Sequence, residues 1–539
     1  MDKPDKEPGW PRIWPGPDDW RRWAGPPFPI EVVDPRSPEA PRTPGEPPPE
    51  PRDGERPPLP TAFVADRLLV RVDDGQHLDR VSALNSAASV FNWNVPLPDF
   101  DSTENRGYPV VPVRVEVSAD RQVSTRPPNA WLLLQQAQVD NGGDPLSGVS
   151  LDHLVDAHPY HLSNPYHLSN PYHLSNPYHL SNPAAAGLDS PVSSYAFPGS
   201  GGRQPVAYVG PRPLRQDPYP GGRRPLVAIL DTGCGTHEWL SGVVTTKVEV
   251  GGELIGHISP ADDPELHPDQ FGELDGVIDP MSGHGTFIAG LVHQKCPDAD
   301  ILAVRVVPSY GPIVELDLVK ALTQLRDLAR LGRDGKEGGR IIDVLSLSMG
   351  YYHETPQDGR FDPLMYELLR DISLTGTVIV CSAGNDATSR PSFPAAFAPW
   401  STGTPPLTVD PAAPPIVSVG AKNPNDVTDA LFTNTGPWVT CYTRGASVLS
   451  TFPAIPAFQG GLEPPARVRS VDGRLREAID PDDFRGGFGV WSGTSFAAPI
   501  VAGAAAAELA KRIPEGDDKA SALARAFALT ETLRANPDQ

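Results

Sequence analysis

From Pro225 onward the chain alternates short β-branched runs with helical stretches, and this alternation constrains its fold more than any other feature. "PLVAIL" (225–230), "ILAVRVV" (301–307), "IIDVLSL" (341–347), "TVIVC" (377–381) and "PIVSV" (415–419) are mostly apolar, without polar residues at alternate positions. Runs of that kind suit strands covered on both faces. Between them, "LDLVKALTQLRDLARLG" sets Leu318, Leu322, Leu325 and Ala329 at helical spacing, and Gly332 is expected to cap its C-terminus. Strands alternating with helices predict the α/β class: a doubly wound parallel sheet with helices on both faces. In such sheets a site forms beyond the carboxyl ends of the strands.

Three stretches fall where that rule expects chemistry. In "VAILDTGCG", Asp231 follows the last apolar residue of a strand, where a carboxylate can be buried and orient a histidine. In "SGHGTFIAGLV", His284 stands between two glycines that let neighbouring backbone approach its ring. In "WSGTSFAAPIVAGAAAAELA", Ser495 opens a long Ala-rich helix, where the helix N-terminus favours a developing oxyanion. Pro499 is expected in about the first turn, where a missing N–H does least harm. Taken singly, each has a bland alternative: a turn after a strand, a structural histidine, an N-capped helix.

The order Asp, His, Ser in these contexts resembles the subtilisin-like serine peptidases, the subtilases. "VIVCSAGNDA" matches the family segment that carries the side-chain oxyanion donor, which puts that role on Asn385. Ser382, Ala383 and Gly384 of the same segment are expected to line the substrate site. "LSLSMG" (345–350) resembles the extended segment that pairs with substrate backbone, here Ser348, Met349 and Gly350. The resemblance spans roughly Pro225 to the C-terminal helices. It implies acyl transfer on protein or peptide substrates: Ser495 as nucleophile, His284 as general base, Asp231 as its orienting carboxylate. The alternative is a catalytically inactive scaffold on the same fold. The usual sign of that state, loss of a catalytic residue, is absent from this sequence. No cofactor or metal is required for the chemistry. Calcium, frequent in the family as a structural ion, has no segment here to which it can be assigned.

Ahead of the peptidase-like region (223–539) the sequence divides into three. Residues 1–60 read as a disordered Pro-rich tail carrying Trp10, Trp14, Trp20 and Trp23, which either pack locally or dock on the protein's own surface or a partner. Residues 61–140 read as a small α+β domain: "RLLVRV" (67–72) and "YPVVPVRVEV" (108–117) as strands, "HLDRVSALNSAA" (77–88) and "NAWLLLQQAQ" (129–138) as helices. It is loosely similar to the pro-domains of subtilases, with a fixed accessory domain as the alternative. Residues 141–222 read as a linker containing four PYHLSN copies. A proline every sixth residue excludes a continuous helix, and in polyproline geometry successive histidines stand roughly 19 Å apart. The repeat therefore reads as a tether rather than a metal or pH site. Self-cleavage is expected after Leu162, Leu168, Leu174 or Leu180.

Composition sets outer limits. At 539 residues there is material for two or three domains, and a formal net charge of −22 argues against nucleic acid or an anionic membrane as partner. The N-terminus has no apolar signal region and no run approaches the ~20 apolar residues of a membrane helix, so a cytoplasmic location is expected. Cys234, Cys296, Cys381 and Cys441 show no metal-like spacing and read as free buried thiols, with disulfides as the alternative. Cys234 and Cys381 flank the expected site in sequence, which raises sensitivity to thiol reagents as an expectation. The stretch from Phe452 to Gly489 is unusually long and reads as a loop on the substrate side.

Overall fold

The computed structural model describes residues 29–32, 61–118, 126–142, 146–156, 195, 201–270, 278–309, 311–354, 363–460, 467–514 and 516–538. The tryptophan-bearing tail and the PYHLSN repeat lie outside them.

The N-terminal unit is built from β1 (Ala62–Arg71), α1 (His77–Ala88), β2 (Val110–Arg114), α2 (Ala130–Asp140) and β3 (Val149–Val155). β1 is central, antiparallel to β2 on one side and β3 on the other. α2 begins where Asn129 accepts a hydrogen bond from the Leu132 amide at 2.8 Å. Leu68, Val70 and Val113 of the sheet pack with Val81, Leu84, Leu133 and Leu134 of the helices in a core of their own. The unit is thus larger than the 61–140 expected from sequence. β3 falls in the expected linker because its centre, Asp152–His153, breaks the apolar pattern, yet both side chains are buried.

The larger unit contains β4 (Leu226–Asp231), α3 (His284–Lys295), β5 (Asp300–Arg305), β6 (Ile313–Val314), α4 (Glu315–Arg333), β7 (Val344–Leu347), α5 (Leu364–Ser373), β8 (Val378–Ser382), β9 (Val417–Lys422), β10 (Cys441–Arg444), β11 (Val448–Thr451), β12 (Phe488–Trp491), α6 (Thr494–Ala510) and α7 (Lys519–Ala535). The main sheet runs β10–β9–β8–β7–β4–β5, closed by the two-residue strand Val244–Thr245, with every pairing parallel. Strand order reverses beside β4, so the crevice of a doubly wound sheet opens beyond the ends of β4 and β7.

Alternate residues of these continuous apolar strands enter two different cores. Ala228, Leu230, Leu302, Val304, Leu345, Leu347 and Ile379 face α4 and α5. Val227, Ile229, Ile301, Val344, Val378, Val380 and Val419 face α3, α6 and α7. Each fully buried Val, Ile or Leu stabilises the fold by about 1.5–3 kcal/mol, so neither face could tolerate polar alternation.

Three sequence expectations shift. α4 does not end on Gly332: it runs through Arg333, and the left-handed residue is Gly335 at φ +65°. Gly332 is required for another reason, because a Cβ there would stand 2.1 Å from the Arg340 carbonyl carbon. The stretch Phe452–Gly489 is an insertion between antiparallel β11 and β12, anchored by fully buried Phe452, Phe458 and Phe484. It carries a small hairpin, Arg467–Arg469 against Leu475–Glu477. The 201–222 stretch, expected as linker, is tied down in part: Gln204–Pro205 pairs with β12, and Arg203 donates to the carbonyls of Ile278, Asp279 and Ser282.

The two units are joined by backbone. β3 pairs with β6, and Asp156, just beyond β3, forms an antiparallel bridge with Gly350, with N···O distances of 2.9 and 2.8 Å.

Candidate active site

Asp231 is the last residue of β4, and His284 is the first residue of α3. Their side chains meet at 2.7 Å between Asp231 Oδ1 and His284 Nδ1, both without exposed surface. The same Oδ1 accepts the Thr232 amide at 2.8 Å. A carboxylate held this way fixes the Nδ1–H tautomer of the ring, which leaves Nε2 as the basic nitrogen. Nε2 of His284 has no hydrogen-bond partner among the described residues. Trp491 edge-on at 5.6 Å and Phe496 at 5.2 Å between ring centroids hold the imidazole from the side.

Both glycines around His284 are structural requirements. Gly283 stands at φ +82°, a left-handed conformation that glycine adopts without strain. Gly285 lies so close to the turn after Asp231 that a Cβ would come within 2.1 Å of the Gly233 carbonyl oxygen. The separation of Asp231 and His284 is therefore set by backbone contact, with the side chains only completing it.

Ser495 is the second residue of α6 and is fully buried, its Oγ 3.4 Å from the Ser348 carbonyl oxygen. Pro499 is the sixth residue of the helix, deeper than the first turn expected for it. It cannot donate to the carbonyl four residues earlier, which belongs to Ser495. The Ser348 hydroxyl fills that gap, donating to the Ser495 carbonyl at 2.9 Å. Pro499, Ser495 and the segment after β7 are thus locked together.

Asn385 lies beyond β8. Its Oδ1 accepts from the Thr494 amide at 2.9 Å and the Thr494 hydroxyl at 2.8 Å. These two bonds turn the amide NH₂ edge toward Gly493, where a Cβ would stand 3.4 Å from Nδ2. Gly384 donates to the Thr494 hydroxyl at 3.1 Å, and the Ala383 carbonyl accepts from Asn434 at 3.0 Å. Ser382, Ala383 and Gly384 are all buried, and the Ala383 and Gly384 backbone groups are bonded within the fold. Met349 is buried beside Gly350, whose backbone is paired with Asp156. Asp231, His284, Ser348, Asn385 and Ser495 thus stand around the ends of β4, β7 and β8; Asp231 and His284 are brought into contact, whereas among the described residues no hydrogen bond joins Ser495 Oγ to His284 Nε2.

One participant escaped sequence reasoning. Glu265 is buried behind the Asp231–His284 pair. Its carboxyl accepts from the Thr232 hydroxyl at 2.5 Å, from the Gly285 amide at 3.1 Å and from Thr286. Burial pushes its pKa up to about 7; the Thr232 and Thr286 hydroxyls oppose the shift, and the charges of Asp263 and Asp231 reinforce it. It comes from "ADDPELHPDQ", where nothing in the spacing separates it from neighbouring acids.

All four cysteines are free thiols. Burial raises the pKa of Cys381 and of Cys234, the latter also through the charge of Glu265. Thiolate is thereby suppressed at both positions nearest the site, which works against the expected sensitivity to thiol reagents. Among the described residues, the grouping of side chains able to converge on a metal ion is His153, His353 and Glu354, outside this constellation.

A family model described as the subtilase family matches residues 222–531. The chain belongs to the subtilase family. An intracellular serine protease of Paenibacillus polymyxa is 22% identical to this subtilase over 299 residues, covering 53% of the chain and 66% of that relative, just under two thirds of its length. Among solved structures, a cold-adapted subtilisin-like serine proteinase aligns at 18% identity and TM-score 0.36, covering 59% of this chain and 84% of that one. Fervidolysin from Fervidobacterium pennivorans, a keratinolytic enzyme related to subtilisin, aligns at 17% identity and TM-score 0.42, covering 83% and 55% respectively.

Proposed function

We propose that this subtilase is a serine endopeptidase that cleaves protein or peptide substrates through an acyl-enzyme. The reading is carried by the 2.7 Å contact between His284 Nδ1 and Asp231, with Nε2 unpartnered among the described residues and Ser495 at a helix N-terminus. Ser495 Oγ attacks the substrate carbonyl carbon while His284 Nε2 takes its proton. Asp231 holds the ring tautomer and stabilises the imidazolium. The negative oxygen of the tetrahedral intermediate is met by the Asn385 NH₂ and the Ser495 backbone N–H. As the carbon–nitrogen bond breaks, the imidazolium returns its proton to the leaving amine. Water, deprotonated by the same nitrogen, then frees the acyl group and restores Ser495.

The N-terminal unit holds the site in a closed state in this reading. Asp156 occupies the backbone of Gly350, one of the residues assigned to pair with substrate, and Ser495 and His284 have no exposed surface. The PYHLSN tether is then the natural place for the chain to be cut by its own site.

A fluorophosphonate probe, read together with mass spectrometry of wild type and Ser495→Ala, tests both parts. Labelling of Ser495 in wild type that vanishes in the variant supports the peptidase. A folded wild-type chain that never labels, before or after limited proteolysis of 157–194, points instead to a scaffold. An intact tether in fully active protein removes the self-cleavage step alone.

A further inference from the structure

Where β3 meets the larger unit, four ionisable side chains from three separate stretches close on one point. His153 of β3 is buried, with Nδ1 2.6 Å from Glu315 Oε2 and Nε2 2.8 Å from Glu354 Oε2. His353 is buried beside it, with Nδ1 3.6 Å from the same Glu354 oxygen, and the two imidazole centroids lie 5.0 Å apart. One ligand atom from each of His153, His353 and Glu354 falls within 4.8 Å of the others. None of these residues belongs to the machinery assigned above.

We propose that His153 Nε2, His353 Nδ1 and Glu354 form a binding site for a zinc-class divalent ion that clamps the N-terminal unit to the larger one. Ligands at about 2.0–2.1 Å in tetrahedral array stand roughly 3.3 Å from one another. The separations of 2.8 and 3.6 Å bracket that spacing. Two imidazoles and one carboxylate are a zinc donor set that leaves a fourth position for water.

The outer partners strengthen the assignment. A metal-bound histidine characteristically donates its other N–H to a carboxylate, which fixes the ring and raises its basicity. Glu315 does this for His153, and the Tyr351 hydroxyl in turn donates to Glu315 Oε1 at 3.2 Å. Glu315 is also the first residue of α4, where a negative charge is favoured by the helix N-terminus. Arg390 donates to the His353 carbonyl at 3.1 Å, holding the backbone that carries two of the three ligands. An ion replacing the proton between His153 and Glu354 would supply the positive charge that two carboxylates facing a single imidazole call for. It would also join β3 to residues three and four beyond Gly350, beside the Asp156–Gly350 bridge.

The test uses the full chain stripped with EDTA, in a background where His158, His161, His167, His173 and His179 are replaced by glutamine, so that the repeat cannot compete for metal. Cobalt(II) is the probe, because a tetrahedral cobalt site absorbs visibly. The expected result is one cobalt per chain with tetrahedral bands, displaced by zinc, and an unfolding midpoint raised by a few degrees at about 100-fold excess over Kd. In His353→Gln and Glu354→Gln those bands weaken or vanish. Should the glutamine variants fail to fold, His353→Cys decides: a new thiolate-to-cobalt charge-transfer band supports the site. Absence of tetrahedral bands in the parent, bands unchanged in His353→Gln, or no charge-transfer band in folded His353→Cys would overturn it.

Discussion

Two buried histidines in this molecule begin from the same contact and end in different states. His284 and His153 each set Nδ1 against a carboxylate, at 2.7 Å on Asp231 and 2.6 Å on Glu315. The difference lies at the second nitrogen. Nε2 of His284 has no partner among the described residues and shares its surroundings with Trp491 and Phe496. Nε2 of His153 is met at 2.8 Å by a second carboxylate, Glu354. An imidazole held on one side keeps a basic nitrogen available for proton transfer; one held on both sides becomes a fastener. The aromatic wall beside His284 and the acidic wall beside His153 decide which.

That comparison breaks most sharply under exchange of the two histidines for alanine. His284→Ala is expected to lower kcat by about 10⁶, the scale seen when the equivalent residue is removed from subtilisin, and to destabilise the fold as well, because buried Asp231 loses its partner. His153→Ala separates the two effects, because its cost falls on stability. It leaves Glu315 and Glu354 facing each other without the ring between them, and removing one member of a buried ionic group costs about 3–5 kcal/mol. Urea denaturation of EDTA-treated protein measures that loss. A His153→Ala chain as stable as wild type would show that the joint is not a fastener. Asn385→Ala sharpens the chemical side: losing one side-chain oxyanion donor should cost about 10²–10³ in kcat at nearly constant KM. An unchanged kcat in that variant would place the oxyanion elsewhere.

Sequence made one of these regions legible and hid the other, for a physical reason. Asp231, His284 and Ser495 each sit in a local context that backbone geometry demands: a strand end, a glycine pair forced by close approach, a helix start with small neighbours. Those demands leave residue types in fixed order within a few positions. The parallel sheet was legible for a similar reason, since strands covered on both faces admit only apolar runs. The His153 group has no such local signature, because its members are brought together from 153, 315 and 353–354 by the docking of β3. The same polar pair, Asp152–His153, concealed β3 itself. Asp152 is tolerated there because it accepts the Leu316 amide at 3.0 Å and pairs with Arg67 at 2.6 Å, partners far away in sequence. At the end of α4 the cap expected at Gly332 falls instead on Gly335, the left-handed residue. Gly332 is required by its close approach to the Arg340 backbone, a contact that no periodicity encodes.

Glu265 gives the finest test, because it stands behind the first histidine as Glu354 stands beside the second, yet without a cation. Its carboxyl faces Thr232 from the turn after β4, Gly285 and Thr286 from α3, and the acids Asp231 and Asp263. Burial raises its pKa from the ordinary 4.5 to about 7. Between those values the folded chain binds more protons at this position than the unfolded chain does. The contribution of Glu265 to stability is therefore full below about pH 4.5 and is lost as pH rises through about 7. The loss amounts to about 3 kcal/mol, at about 1.36 kcal/mol for each unit of pKa. Glu265→Gln keeps a donor and an acceptor in place of the protonated acid, so its stability relative to wild type should improve steadily from about pH 5 to about pH 8. Urea midpoints at several pH values across that range measure the trend. A variant that tracks wild type in parallel would mean that Glu265 stays ionised throughout, the hydrogen bonds from Thr232, Gly285 and Thr286 outweighing burial. The site would then hold two adjacent carboxylates behind His284, a more strongly negative environment for the proposed base than a protonated Glu265 leaves.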